Sequence, residues 1–161
     1  MTRPPPASAS IVPMAIAAAA GVRAAAMAMG TLDALAGTGR VIAGLGVSGP
    51  QIVEGWYGQP WGRPYWRLRD YVAIMRKIFA RKDPVSHDGQ EISLPYTGPG
   101  SVGLGKPLTS ILHMNPHLPI WLGTGTESNV KLTAEVADGW LPLGFTPVSY
   151  THLTLPTTER V

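Results

Sequence analysis

The chain has 161 residues and a net charge of +3, and only 14% of it is charged, well below the roughly one quarter of an ordinary globular protein. That density is too thin for a nucleic-acid surface, while 45% hydrophobic residues at a mean hydropathy of +0.10 describe a globular chain with a core. Without cysteine it has neither a disulfide framework nor a thiolate metal site, which fits a reducing, cytoplasmic setting.

The first thirty residues, MTRPPPASASIVPMAIAAAAGVRAAAMAMG, superficially resemble a secretory signal. The triple proline and Arg23 match it poorly, and alanine is too weakly apolar to support a membrane span. No membrane association is expected.

Ala24 to Ala36 is expected to form a helix with Met27, Ala28, Thr31, Leu32 and Leu35 on one face and Gly37 as its terminator. RVIAGLG, from Arg40, has the apolar, glycine-bounded pattern of a short buried strand. The clearest helix is YWRLRDYVAIMRKIFARK, Tyr65 to Lys82. Its Leu68, Tyr71, Val72, Met75, Ile78 and Phe79 recur at three and four, with Arg and Lys outside and Pro84 as the stop. VSHDGQEISL carries an Asp88-Gly89 hairpin signal. PYTGPGSVGLGKP is too rich in Gly and Pro for regular structure. PIWLG then predicts a strand, GTGT a turn, ESNVKLTAEVA a helix capped by Thr126, and DGWLPLGF another strand.

Strand, helix, strand of this length is a parallel crossover, and SIVPM with the following helix and RVIAGLG forms an earlier one. The fold class is therefore α/β, either a doubly wound sheet or part of a (β/α) barrel.

Several motifs carry candidate chemistry. GLGVSG, Gly44 to Gly49, fits G-x-G-x-x-G, but a phosphate cradle needs a helix after the glycines. Pro50, Gly55, Gly58, Pro60, Gly62 and Pro64 are expected to prevent one. Gly46-Val47-Ser48-Gly49-Pro50 also misses the nucleophile elbow, having proline in place of the last glycine. GSVGLGKP departs from a Walker A loop at Pro107, where a hydroxyl belongs. His113 and His117 are separated by Pro116 and lack a following glutamate, so a loop pair is favoured over a zinc site. GTGTES, Gly123 to Ser128, has both a strand before it and a helix after it. Its N–H groups, with the Thr124, Thr126 and Ser128 hydroxyls, suit a phosphate ester as well as they suit an ordinary capped turn. Trp56, Tyr57, Trp61, Tyr65 and Trp66 either wall a pocket for a flat ligand or cover the core beneath a long loop.

From about Ser10 to Pro147 the chain resembles the luciferase-like monooxygenase superfamily, and within it the deazaflavin (coenzyme F420) dependent oxidoreductases. The matching stretches are TLDALAGTGRVIAGLGVSGPQIVEGWYG, RLRDYVAIMRKIFARKDPVSHDGQEISLP, GLGKPL and PIWLGTGTESNVKLTAEVADGWLP. The resemblance implies a partial (β/α)8 TIM barrel, about strands 3 to 6, with Gly/Pro-rich insertion loops. It implies hydride transfer between a deazaflavin and a small organic molecule, with an FMN-dependent monooxygenase or an inactive, truncated cofactor-binding product as the alternatives. The cofactor contacts it implies are Ser10 and Ile11 at a strand end that carries a non-prolyl cis peptide behind the ring in many members. Val47, Ser48 and Gly49 fall on the loop bordering the cofactor, and Gly123, Thr124, Gly125 and Thr126 on the turn that receives its phosphate. Related dehydrogenases place a glutamate acid near Gln51, and glutamine cannot take that role. The parent enzyme is expected to be a homo-oligomer.

A full barrel of this kind needs roughly 250 residues. Alone, the chain is expected to fold poorly or self-associate through exposed strand edges. Residues 1–9 match nothing in the family pattern. From Val148 the resemblance stops, and VSYTHLTLPT looks like a translated sequencing-library adapter, so Val148 to Val161 are expected to be non-native.

Overall fold

The computed structural model describes the backbone of residues 10–13 and all of residues 21–142. The unmatched N-terminal segment and the expected adapter tail, with Tyr150 and His152, lie outside them.

Four strands form one sheet: β1 (Ser10–Pro13), β2 (Val41–Gly46), β5 (Ile120–Gly123) and β6 (Gly139–Leu141), in the order β1-β2-β5-β6. Every neighbouring pair is parallel. Helix α1 (Val22–Ala36) connects the first two strands and α4 (Glu127–Val136) the last two. Between β2 and β5 run α2 (Pro50–Gly55), α3 (Pro64–Ala80) and a small antiparallel hairpin of β3 (His87–Asp88) and β4 (Ser93–Leu94). A strand order that follows the chain without reversal is that of a barrel wall, whereas a doubly wound sheet reverses direction at a switch point. Helices α1, α3 and α4 contribute to a single core with β2 and β5, which fits one helical layer outside the sheet.

The alternating residues of the strands explain that layer. Val41, Ala43 and Leu45 of β2 and Ile120 and Leu122 of β5 join the core with Leu68, Tyr71, Val72, Ile74, Met75, Ile78 and Phe79 of α3. All six apolar positions expected to form the buried stripe of α3 are buried. Pro64 starts this helix at a position where no donor is lost, and Arg81, in the left-handed conformation, ends it.

Helix α1 is turned differently from the sequence expectation. Its buried face is Val22, Ala25, Ala26, Met29, Gly30 and Asp33, whereas Met27 and Leu32 are 38% exposed and Leu35 is 80% exposed. On this face Ala25, Ala26 and Gly30 let the helix approach α3 and Met114 closely, and Met29 fills the core beside them. Asp33 is buried because its Oδ1 accepts the backbone N–H groups of Gly39 and Val41, fastening the turn into β2.

Two further expectations are corrected. A helix does follow GLGVSG: α2 is six residues long, with Gly49 as N-cap and proline in its first turn. The proline serves there because the first turn's N–H groups have no intrahelical partner in any case. The hairpin forms, but His87 pairs with Leu94 and Asp88 with Ser93. Asp88-Gly89 therefore enters a longer loop rather than forming a two-residue turn. The segment between β4 and β5 has no helix or strand, as its Gly/Pro content requires, and Val102, Leu104 and Ile111 are exposed on it.

Candidate functional site

A cleft of about 630 Å³ opens at the C-terminal ends of β2, β5 and β6. In barrels of this architecture the chemistry belongs at this end. One wall is Val47, Ser48 and Gly49, which leave β2, and the other is Gly123, Thr124, Gly125 and Thr126, which leave β5. Leu141 and Pro142 close a third side. Seven of the residues singled out in the sequence are thus gathered in one place, although the two stretches lie far apart in the chain.

Register places Ser10 beside Val41 and Ile11 beside Ile42, at the opening of β2. The described lining of β2 begins only at Gly44, and the residue of β1 level with Gly44 is Pro13. Ser10 and Ile11 therefore sit earlier along the sheet than the cleft rim.

The floor follows from strand alternation. Since Val41, Ala43 and Leu45 face the helices, Gly44 and Gly46 face the other way, beside Trp121 and Gly123 of β5. A β-carbon on Gly46 would stand 3.3 Å from the Gly123 carbonyl oxygen. That contact is tight, and with Gly44, Gly46 and Gly123 in place no side chain rises from these strand ends, so the backbone itself forms the floor of the cleft.

The turn Gly123–Thr126 is clamped from behind. Thr124 is 2% exposed; its hydroxyl lies 3.0 Å from that of Thr133 on α4, and its carbonyl accepts the Trp140 indole N–H of β6 at 2.9 Å. Thr126 occupies the N-cap of α4 as expected, yet its hydroxyl makes no capping bond and instead lies 3.4 Å from the Ser128 hydroxyl. The first helical bond runs from Val130 N–H to the Thr126 carbonyl. The N–H groups of Glu127, Ser128 and Asn129 consequently have no intrahelical acceptor and give this end its positive dipole character. Glu127 is paired with Lys131 at 2.7 Å, and the Lys131 hydrogen bond holds its carboxyl below the usual range.

Asn129 also lines the cleft, and its Oδ1 is buried without a hydrogen-bond partner among the described residues. Sequence reasoning passed over it, although three residues beyond a helix N-cap is one turn into the helix on the same side. Outside the cleft, Trp56 is 79% exposed and Trp66 37% exposed, with Tyr65 packed edge-on against Trp66. Among the described residues no group of three or more His, Asp or Glu side chains could hold a metal ion.

Comparison with known proteins supplies the family. A family model described as luciferase-like monooxygenase matches residues 8–160. The chain belongs to the luciferase-like monooxygenase family. A Mycobacterium tuberculosis relative, named as a candidate coenzyme F420-dependent oxidoreductase, is 52% identical over 125 residues, covering 77% of this chain and 36% of that protein. An uncharacterised protein of the same species is 34% identical over 119 residues, covering 72% of this chain and 37% of that protein. A solved F420-dependent secondary alcohol dehydrogenase, in complex with an F420–acetone adduct, superposes with a TM-score of 0.64 at 16% identity, covering 84% of this chain and 38% of that one. At that identity the likeness shows the fold, a partial barrel. This luciferase-like chain thus spans little more than a third of the length of the curated relatives it matches. Among the described residues no helix is long and apolar enough to cross a membrane.

Proposed function

We propose that this luciferase-like chain is part of a coenzyme F420-dependent oxidoreductase and that the cleft is its cofactor site. The observation that carries the reading is the meeting, in one cleft, of a glycine floor with a clamped strand-to-helix turn. The floor admits a flat ring system close to the backbone, and the N–H groups at the start of α4, which the turn leads into, suit a phosphate ester. The 52%-identical relative named for this cofactor supports the same reading.

In this reading Gly123, Thr124, Gly125 and Thr126 form the turn that receives the phosphate, the N–H groups of Glu127, Ser128 and Asn129 at the start of α4 bind it, and Val47, Ser48 and Gly49 border the ring. Ser10 and Ile11 belong to the strand that backs it. When bound, the deazaflavin supplies hydride transfer to or from a small organic molecule. The chain's own contribution is to orient the ring and exclude water, for which Leu141 and Pro142 give an apolar side wall. Gln51, exposed at the start of α2, offers no acid to protonate a substrate. The whole enzyme is read as a cytoplasmic homo-oligomer without nucleic-acid or membrane partners.

The family description names monooxygenases, so FMN is the second reading. Titration of the folded chain with F420, followed by its fluorescence, separates the two when repeated with FMN. Saturable binding that is tighter for F420 supports the first reading, and tighter FMN binding replaces it. No saturable binding of either by a sample shown to be folded overturns both.

A further inference from the structure

We infer that Thr133 is a positioning residue for the cofactor phosphate, acting through Thr124; this rests on the cofactor reading above. The Thr133 hydroxyl stands 2.7 Å from the Asn129 carbonyl oxygen and donates to it. Having one proton, it can only accept from Thr124, whose hydroxyl lies 3.0 Å away. The direction of the relay is therefore fixed: Thr124 gives its proton to Thr133, and Thr133 gives its own to the backbone of α4.

Two consequences follow for the cleft. The Thr124 hydroxyl has no proton left for a ligand, so in place of gripping a phosphate, as the sequence suggested, it holds the turn to α4. Second, the turn is held at both Thr124 groups, by Thr133 at the hydroxyl and by Trp140 at the carbonyl. Both threonines are almost fully buried, at 2% and 4% exposure, where an unmade hydrogen bond is costly and the arrangement has little freedom. A strand-to-helix turn fixed this way presents the N–H groups at the start of α4 in one orientation before any ligand arrives, which is how a binding site avoids an ordering cost.

The test uses two probes, intact F420 and the phosphate-free deazaflavin riboside, on the wild type, Thr133→Val and Thr133→Ser. Thr133→Val keeps the shape and removes the donor. It is expected to weaken F420 about tenfold while leaving the riboside within about twofold, the loss of roughly one charge-assisted hydrogen bond's alignment. Thr133→Ser is expected to restore F420 binding. Thr124→Val, which breaks the same relay from the other side, is expected to reproduce the selective loss should Thr133→Val fail to fold. Equal weakening of both probes, or an unchanged ratio, overturns the positioning role. A wild type that binds both probes equally overturns the phosphate assignment itself, and so the two failures are distinguishable.

Discussion

His87 Nε2 lies 3.1 Å from Asp70 Oδ1, joining the β3–β4 hairpin to the middle of α3. The other oxygen of the same carboxylate accepts the backbone N–H groups of Glu91 at 2.7 Å and Ile92 at 3.0 Å. Asp70 is only 5% exposed, so the loop after Asp88 takes its shape from one buried side chain on a helix. Asp70→Ala strands these donors and is expected to lower the unfolding free energy by about 3 kcal/mol. Asp70→Asn keeps one acceptor and is expected to cost about half as much. Urea unfolding measures both, and a loss below about 1 kcal/mol for the alanine variant contradicts the tethering role.

Acidification is expected to act through the same loop. Burial pushes the Glu91 carboxyl up, but hydrogen bonds and charge from Arg63, at 2.7 Å, and the charge of Arg67, at 3.4 Å, outweigh it. The group ends below its ordinary value of 4.5. A depressed carboxylate stabilises the folded state above its unfolded pKa, and that contribution is lost as pH falls through the lower, folded value. The unfolding midpoint should therefore decline on the acid side of 4.5, and Glu91→Gln should flatten that decline. Parallel pH profiles for the two proteins would remove Glu91 from the account.

Two glycines separate rigid from yielding surroundings. A β-carbon on Gly139 would lie 2.5 to 2.6 Å from three atoms of the Trp121 ring system, which is held on the neighbouring strand in register with it. A fused ring cannot bend away, and Gly139→Ala is expected to cost about 1–3 kcal/mol. At Gly30 the obstacle is the Met114 side chain, which has three rotatable bonds, and alanine raises helix propensity by about 1 kcal/mol. Gly30→Ala is therefore expected to stay within about 1 kcal/mol of the wild type. Thermal or urea unfolding of the pair checks the contrast, and equal losses would show that Met114 is as fixed as Trp121.

What the sequence made legible divides along the same line between local pattern and tertiary packing. The stripe of α3 was readable because large apolar residues recur at helical spacing against a charged outer face. In α1 Met27, Leu32 and Leu35 point outward, and the helix is seated by Met29 together with small residues whose fit depends on α3 and Met114. Asp33 and Asp70 look like surface acids until the backbone donors they accept are brought beside them. At the candidate site, local pattern placed each of the two glycine-rich stretches after an apolar strand, but the role of Val47, Ser48 and Gly49 came only from the family resemblance. Nothing in their spacing said that they share a cleft, since that requires β2 and β5 to be neighbours across a long excursion. Thr133 and Asn129 were hidden for a further reason: they matter only because of the face α4 turns toward Thr124.

GLGVSG itself yields the last prediction. Ser48 has a φ of 60°, a left-handed conformation that costs a non-glycine residue about 1–2 kcal/mol. Glycine at this position would remove the cost, so Ser48→Gly is expected to raise the unfolding free energy by about 1 kcal/mol, and the β-branched Ser48→Val to lower it. Ser48 also lines the cleft between Val47 and Gly49, where strain is tolerated when it presets a binding surface. On the proposed cofactor reading, loosening the loop should then weaken F420 several-fold in the same variant that is more stable. Unfolding and fluorescence titration on one preparation measure both quantities. A Ser48→Gly protein less stable than the wild type would show that the serine side chain, rather than the backbone twist, holds this lip of the cleft in place.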